Sequence, residues 1–228
     1  MRLGGILVAL GVLASLVLAS GPATALAGAE FVRWPGGQYY WGPFQGKNAG
    51  PLTVAGSGPS GTIITNCANV TLSAHADWAP SGTPVTFTGL AVPACPNNVG
   101  GTTTITAENL PYLGSLGSPV PGGGSLVLPD PDVRIKMVLT MSVAPVQTCY
   151  YGFGSTVTQL HLDLFNPDNP ARPVPSAGDL QAALSGDALT RLAGSTFLCP
   201  ATVTLNGVLI LRGEIAPGVF EQKLAVLP

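Results

Sequence analysis

Two tripeptides hold both histidines of the chain, His75-Ala-Asp77 and His161-Leu-Asp163. Each sets an aspartate two residues after a histidine, and in a β-strand positions i and i+2 share a face. Leu72, Ala74 and Ala76 alternate with the first couple, and Leu160, Leu162 and Leu164 with the second. Both couples are therefore expected on the polar face of a half-buried strand. Two imidazoles and two carboxylates brought together would make a zinc set, and a His–Asp couple beside a serine would make a hydrolase. His75, Asp77, His161 and Asp163 are thus the metal or catalytic candidates, against the simpler expectation of two separate solvated pairs. No G-x-S-x-G elbow occurs, and Gly56-Ser-Gly-Pro-Ser-Gly61 reads as a loop. Asp163, Asn166, Asp168 and Asn169 offer oxygen ligands but lack the regular spacing of a calcium loop, so they read as a turn. No catalytic residue is assigned and no cofactor is expected.

The second candidate is aromatic. Between Phe31 and Phe44 the chain collects Trp34, Tyr39, Tyr40 and Trp41, which include two of its three tryptophans. Flat rings on a β-surface stack on sugars or anchor a protein partner. Trp34, Tyr39, Tyr40, Trp41 and Phe44 are the candidate ligand-binding residues, with a cell-wall glycan or a surface protein as partner. The competing expectation is an edge strand whose rings cap the core.

These groups must be held by a framework, and the four cysteines supply part of it. Cys67 and Cys95 are symmetric about Ser81, inside the turn-rich Trp78–Pro84; Cys149 and Cys199 are symmetric about Val174, inside the proline-rich Asn166–Pro175. A hairpin closing at each turn sets the two cysteines opposite one another, which predicts Cys67–Cys95 and Cys149–Cys199. No C-x-x-C pair is present, so a zinc or redox site made of cysteines is not expected.

An even cysteine count fits an oxidising compartment. The start of the chain agrees: Met1-Arg2, an apolar run from Leu3 to Ala19, and Ala25-Leu-Ala27 form the three parts of a cleavable secretion signal over residues 1–27. Without Arg2 the formal net charge goes from −2 to −3, and charged residues are only 9% of the chain. That excludes nucleic acid and polybasic membrane binding, which need clustered Lys and Arg. No transmembrane segment is expected after signal cleavage. The expected location is outside the cell or on the surface of its envelope.

Gly and Pro together make many turns and few long helices, and β-branched or alternating runs dominate. Val133, Ile135, Met137, Leu139, Met141 and Val143 alternate with Arg134, Lys136, Val138, Thr140 and Ser142, as a half-buried strand does. Asn206-Gly207 between two apolar runs predicts a tight hairpin. Ser176–Ser185 is open between a short helix and a strand. The expected fold is all-β: an antiparallel β-sandwich, Ig-like or related, over residues 51–228, with an aromatic-rich segment over 28–50. Cys-Pro followed by a threonine-rich strand occurs twice, at Cys95 and Cys199, so the sandwich is read as a possible duplication of halves 51–113 and 126–228 joined by the Gly114–Ser125 linker. Two subdomains are the alternative, and a barrel in an outer envelope layer is a third reading.

Thr88-Gly89-Leu90, Asn109-Leu-Pro-Tyr112, Cys149-Tyr-Tyr151 and Leu184-Ser-Gly186…Leu189-Thr-Arg191 before Cys199-Pro200 resemble motifs of uncharacterised secreted β-proteins of actinobacteria with paired cysteines. The resemblance spans roughly Thr62 to Pro200, leaves Gly28–Gly50 outside, implies no activity, and turns Leu180–Leu184 towards strand. The function expected is a secreted or envelope-associated non-enzymatic β-domain, structural or ligand-binding. The alternative is a secreted hydrolase or metal-dependent enzyme on the two His–Asp pairs.

Overall fold

The computed structural model describes residues 28–59, 61–79, 82–117, 119–142 and 145–227. The signal expected at 1–27 lies outside the described residues, as does Ser81 at the tip of the first cysteine hairpin. The strands are β1 (Glu30–Arg33), β2 (Gly42–Asn48), β3 (Leu52–Gly58), β4 (Gly61–Cys67), β5 (Thr71–Ala76), β6 (Pro84–Ala91), β7 (Cys95–Pro96) and β8 (Thr102–Glu108). They continue with β9 (Tyr112–Leu116), β10 (Gly123–Leu128), β11 (Arg134–Leu139), β12 (Gln147–Gly152), β13 (Leu160–Phe165), β14 (Leu180–Arg191), β15 (Thr202–Ala216) and β16 (Val219–Leu227). Among the described residues there is no helix.

The pairing closes on itself. β2, β5, β6, β9, β10, β13, β14 and β15 pair antiparallel in that order, and β15 returns to β2. The remaining inner strands extend the same ring: β15–β3–β4, a bridge from Thr65 to Asn97, then β7–β8–β11–β12–β14. Both rings follow chain order. The wall is therefore made of eight long staves: β2 with β3, β4 with β5, β6 with β7, β8 with β9, β10 with β11, β12 with β13, then β14 and β15. This is an up-and-down barrel.

All-β, antiparallel and doubly disulfide-bonded are as expected, but the two stacked sheets of a sandwich are replaced by one closed wall. Inward and outward alternation is common to both architectures, so the strand pattern cannot separate them. What closes the wall is the β14/β15 hairpin, long enough to pair with β13 and β12 on one side and with β2 and β3 on the other. Residues 51–113 and 126–228 thus build successive parts of one barrel. The inward positions are apolar (Ala74, Val85, Phe87, Leu126, Leu162 and Leu164 are buried) while Thr88, His161 and Asp163 face out. A membrane-spanning barrel has its apolar band on the outside.

Most staves break at the same level, the waist of the barrel. Pro51, Pro93, Pro111, Pro129 and Pro131 sit in these breaks, where a residue without an N–H ends a ladder. β14 passes the level with a bulge between Ser185 and Asp187. Asn206-Gly207 lies in the middle of β15 rather than in a hairpin. Glycine is needed there because a Cβ would stand 3.1 Å from the Leu52 backbone. Gly114–Ser125 is likewise the end of β9, a turn and the start of β10, not a free linker. A Cβ on Gly114 would meet the Val127 carbonyl at 2.6 Å, and one on Gly123 the Leu164 carbonyl at 1.9 Å. Ser176–Ser185 resolves as a turn followed by strand from Leu180.

Two stacked cores fill the barrel. One lies below the waist around Phe44, Phe87, Leu126, Leu164 and Leu211; the other lies above it around Ile63, Met137, Tyr151, Val203 and the four cysteines. Both disulfides pair as the turns predict, Cys67–Cys95 and Cys149–Cys199. Their loops of 28 and 50 residues correspond to about 3.5 and about 4 kcal/mol in the chain-entropy account. β1 and β16 form a ribbon across the lower mouth: Phe31, Val32, Leu224 and Val226 are buried, and Phe31 meets Phe44 with ring centres 5.1 Å apart.

Candidate functional site

The two His–Asp couples form as local pairs. His75 Nδ1 is 3.2 Å from Asp77 Oδ1, and His161 Nδ1 is 3.6 Å from Asp163 Oδ1. All four side chains are about half exposed on the outer wall. β5 belongs to the second stave and β13 to the sixth, so the couples stand on opposite sides of an eight-stave ring. The structure does not bring them together. Among the described residues no three His, Cys, Asp or Glu side chains are grouped to hold a metal.

The turn after β13 spends its polar groups internally. Asn166 is buried, with both ends of its carboxamide on the Val226 backbone. Asn169 donates to the Gly122 carbonyl and accepts from the Ala171 amide. These bonds make a turn, as the residue types suggest, and leave no convergent oxygens.

The aromatic segment divides. Tyr40 and Phe44 are core residues, 2% and 1% exposed. The Tyr40 hydroxyl donates to the Pro43 carbonyl and accepts from the Glu214 amide, and burial raises its pKa. Trp34 is half-buried, in the turn that follows β1. Tyr39 and Trp41 stay on the surface with rings stacked at 5.9 Å and 13°, and Trp78 joins them edge-on at 6.5 Å. The result is a three-ring ledge near the lower mouth. Trp78 was not among the sequence candidates, because it lies on the β5–β6 turn, 37 residues from Trp41.

Sequence reasoning missed an interior feature. Between the two cores, at the waist, lies a cavity of about 150 Å³. Every stave contributes to its wall: Leu52 and Val54, Val70 and Leu72, Leu90 and Val92, Ile105 and Ala107 from the first four. Leu128 and Ile135, Leu160 and Leu162, Leu184 and Leu189, Val203 and Leu209 complete it. The lining has one hydroxyl, that of Tyr112, and this group is already occupied: it donates to the Glu108 carbonyl and accepts from the Arg134 amide. Burial raises the Tyr112 pKa and keeps the phenol neutral. The cavity offers a ligand no charge, no donor and no acceptor. In the sequence most lining residues are ordinary Leu, Val or Ile, joined by Phe87, Gly89, Ala107, Tyr112 and Met137, and nothing in their types marks the space beside them.

The fold and cavity define the class: a closed up-and-down β-barrel with an apolar interior chamber, the architecture that at eight strands has room for one small ligand. No protein-family model, curated protein or solved structure matches the chain.

Proposed function

We propose that the protein is an exported, non-enzymatic binding module that takes a small apolar molecule into the waist of its barrel. The cavity carries this reading. Protein interiors are packed with few voids larger than a water. At about 24 cal/mol per Å³, leaving 150 Å³ unfilled costs roughly 3–4 kcal/mol, a sizeable share of a typical stability of about 5–15 kcal/mol. A chamber to which eight staves contribute apolar groups is well explained as a site. An apolar space of this size stays dry and takes a benzene-sized guest, so the ligand is a hydrocarbon ring or short branched chain of about six to eight carbons, or the end of a longer lipid. Two disulfides fit export, since such bonds persist in oxidising compartments. The hydrolase or metal-enzyme alternative gains no support from couples on opposite walls.

The test is titration of the folded protein with benzene and n-hexane, followed by methyl-resolved NMR and thermal unfolding. Saturable shifts at Leu128, Leu162 and Val203 with a rise in Tm are expected. Absence of saturation for both guests would sink the proposal.

A second reading rests on the Tyr39–Trp41–Trp78 ledge, whose exposed stacked pair suits a sugar face. It predicts tryptophan-fluorescence changes with soluble cell-wall glycan fragments that Trp41→Ala abolishes. Unchanged fluorescence in the native protein would remove it.

A further inference from the structure

We infer that the apolar ligand enters through the side of the barrel, by a slot between the third and fourth staves, rather than through either mouth. The inference rests on the cavity being the binding site. β6 and β9 pair from Pro84↔Ser115 to Phe87↔Tyr112, and β7 and β8 resume only at Cys95↔Thr103. Over residues 88–94 and 104–111, among the described residues, no ladder pair or hydrogen bond joins the two staves. Seven residues on one edge and eight on the other are thus without a partner across the wall.

Both edges of the slot are held from behind. β6 stays paired to β5 as far as Thr71↔Ala91, and β8 stays paired to β11 as far as Glu108↔Arg134. The edges are thus strand as far as Ala91 and Glu108, with a bulge at Thr88, and lack a partner across the slot. Other waist breaks are closed differently. The Asn48 carboxamide bonds the Cys67 and Ala68 carbonyls and the Val70 amide, joining staves one and two. The Cys67–Cys95 disulfide joins two and three. Tyr112, and Asp130 accepting from the Leu113 amide, join four and five. Along the sixth stave, residues 153–159 leave strand altogether and Phe153 packs on both cores.

Gly89, Leu90, Val92, Ala107 and Leu110 line the cavity, are partly open to solvent and lie on the two edges of this slot, which groups them, whereas the other partly open lining residues, Leu52, Leu72, Ile135, Leu160 and Leu205, are spread singly over five staves. Outside it, Ala91, Pro93, Ala94, Pro111 and Leu113 are exposed beside Thr88, Thr104, Thr106 and Asn109. A guest therefore meets a mixed rim whose apolar side chains lead into the chamber. The lower mouth, in contrast, is crossed by the β1/β16 ribbon, with Phe31, Leu224 and Val226 buried against the lower core.

Benzene exchange measured by methyl NMR line shapes tests the route. Ala107→Trp narrows the slot and should slow association and dissociation together by about tenfold, with Kd changed much less. Leu110→Ala widens it and should speed both, which keeps the test valid if the tryptophan variant folds poorly. Phe153→Trp, which narrows the sixth-stave break instead of opening it, should leave both rates as in the native protein. If benzene binds but neither slot variant moves the rates, or if Phe153→Trp slows them instead, the slot is not the entrance. If benzene and n-hexane fail to bind the native protein, it is the cavity reading that falls.

Discussion

Asn166 and Val226 face each other as two rungs of a ladder would, although only Val226 is in a strand. The Asn166 carboxamide nitrogen donates to the Val226 carbonyl at 2.9 Å, and its oxygen accepts from the Val226 amide at 2.8 Å. Both residues are buried. The side chain takes the place of a missing neighbouring strand, and so ties β16 to the turn that follows β13 and keeps the ribbon across the lower mouth.

Removing that side chain leaves a buried donor and acceptor unpaired at once. At about 1–3 kcal/mol for each orphaned group, Asn166→Ala is expected to destabilise the protein by about 2–6 kcal/mol. Hydrogen exchange at Val226 should become faster, while amides of β14 change only with global stability. Asn166→Asp keeps the acceptor, loses the donor and adds a buried charge, so at neutral pH it should be no milder. Denaturant unfolding with both variants within about 0.5 kcal/mol of the native protein would show that β16 is held by its apolar face alone.

How much of this was legible beforehand depended on range along the chain. The cysteine pairs could be read, because each follows from one hairpin whose turn residues are local: Trp78–Pro84 for Cys67–Cys95 and Asn166–Pro175 for Cys149–Cys199. The strand faces of His75 and His161 were also local and also correct. Barrel closure was not legible. It depends on β15 meeting β2, a pairing such as Arg212↔Gln45 between residues far apart in sequence, and no local pattern encodes it. Asn206-Gly207 misled because the glycine serves a close approach of Leu52, not a turn. Asn166 read as a turn residue or calcium ligand, and its bond to Val226 depends on where β16 lies.

The cavity can be filled from its own walls. Leu162→Phe with Val203→Leu adds about four carbon atoms to the lining, and at roughly 0.8 kcal/mol per buried methylene less some packing strain the double variant should gain about 1–2 kcal/mol. It should also lose benzene binding. Gain of stability with loss of binding is the signature of a site kept open at a cost to the fold. A double variant that is destabilised and still binds benzene would show that the guest sits elsewhere.

Tyr151 ties stability to alkaline pH. Its ring is in the upper core, 1% exposed, and its hydroxyl donates to the Pro200 carbonyl at 3.2 Å. Burial pushes its pKa up to about 12 against a small opposing pull from the Arg191 charge, and burial raises Tyr40 and Tyr112 in the same direction. The unfolded chain releases this proton near pH 10. A native state that holds the proton more tightly contributes stability that is fully present below that value and is lost as pH rises towards the folded pKa. Urea midpoints are therefore expected to be flat around neutrality and to fall between about pH 10 and about pH 12. Tyr151→Phe has no phenolic proton to lose. It should begin about 1 kcal/mol less stable for want of the hydrogen bond and then lose less than the native protein over the alkaline range. Parallel pH curves for the two proteins would rule out Tyr151 as a source of the alkaline loss.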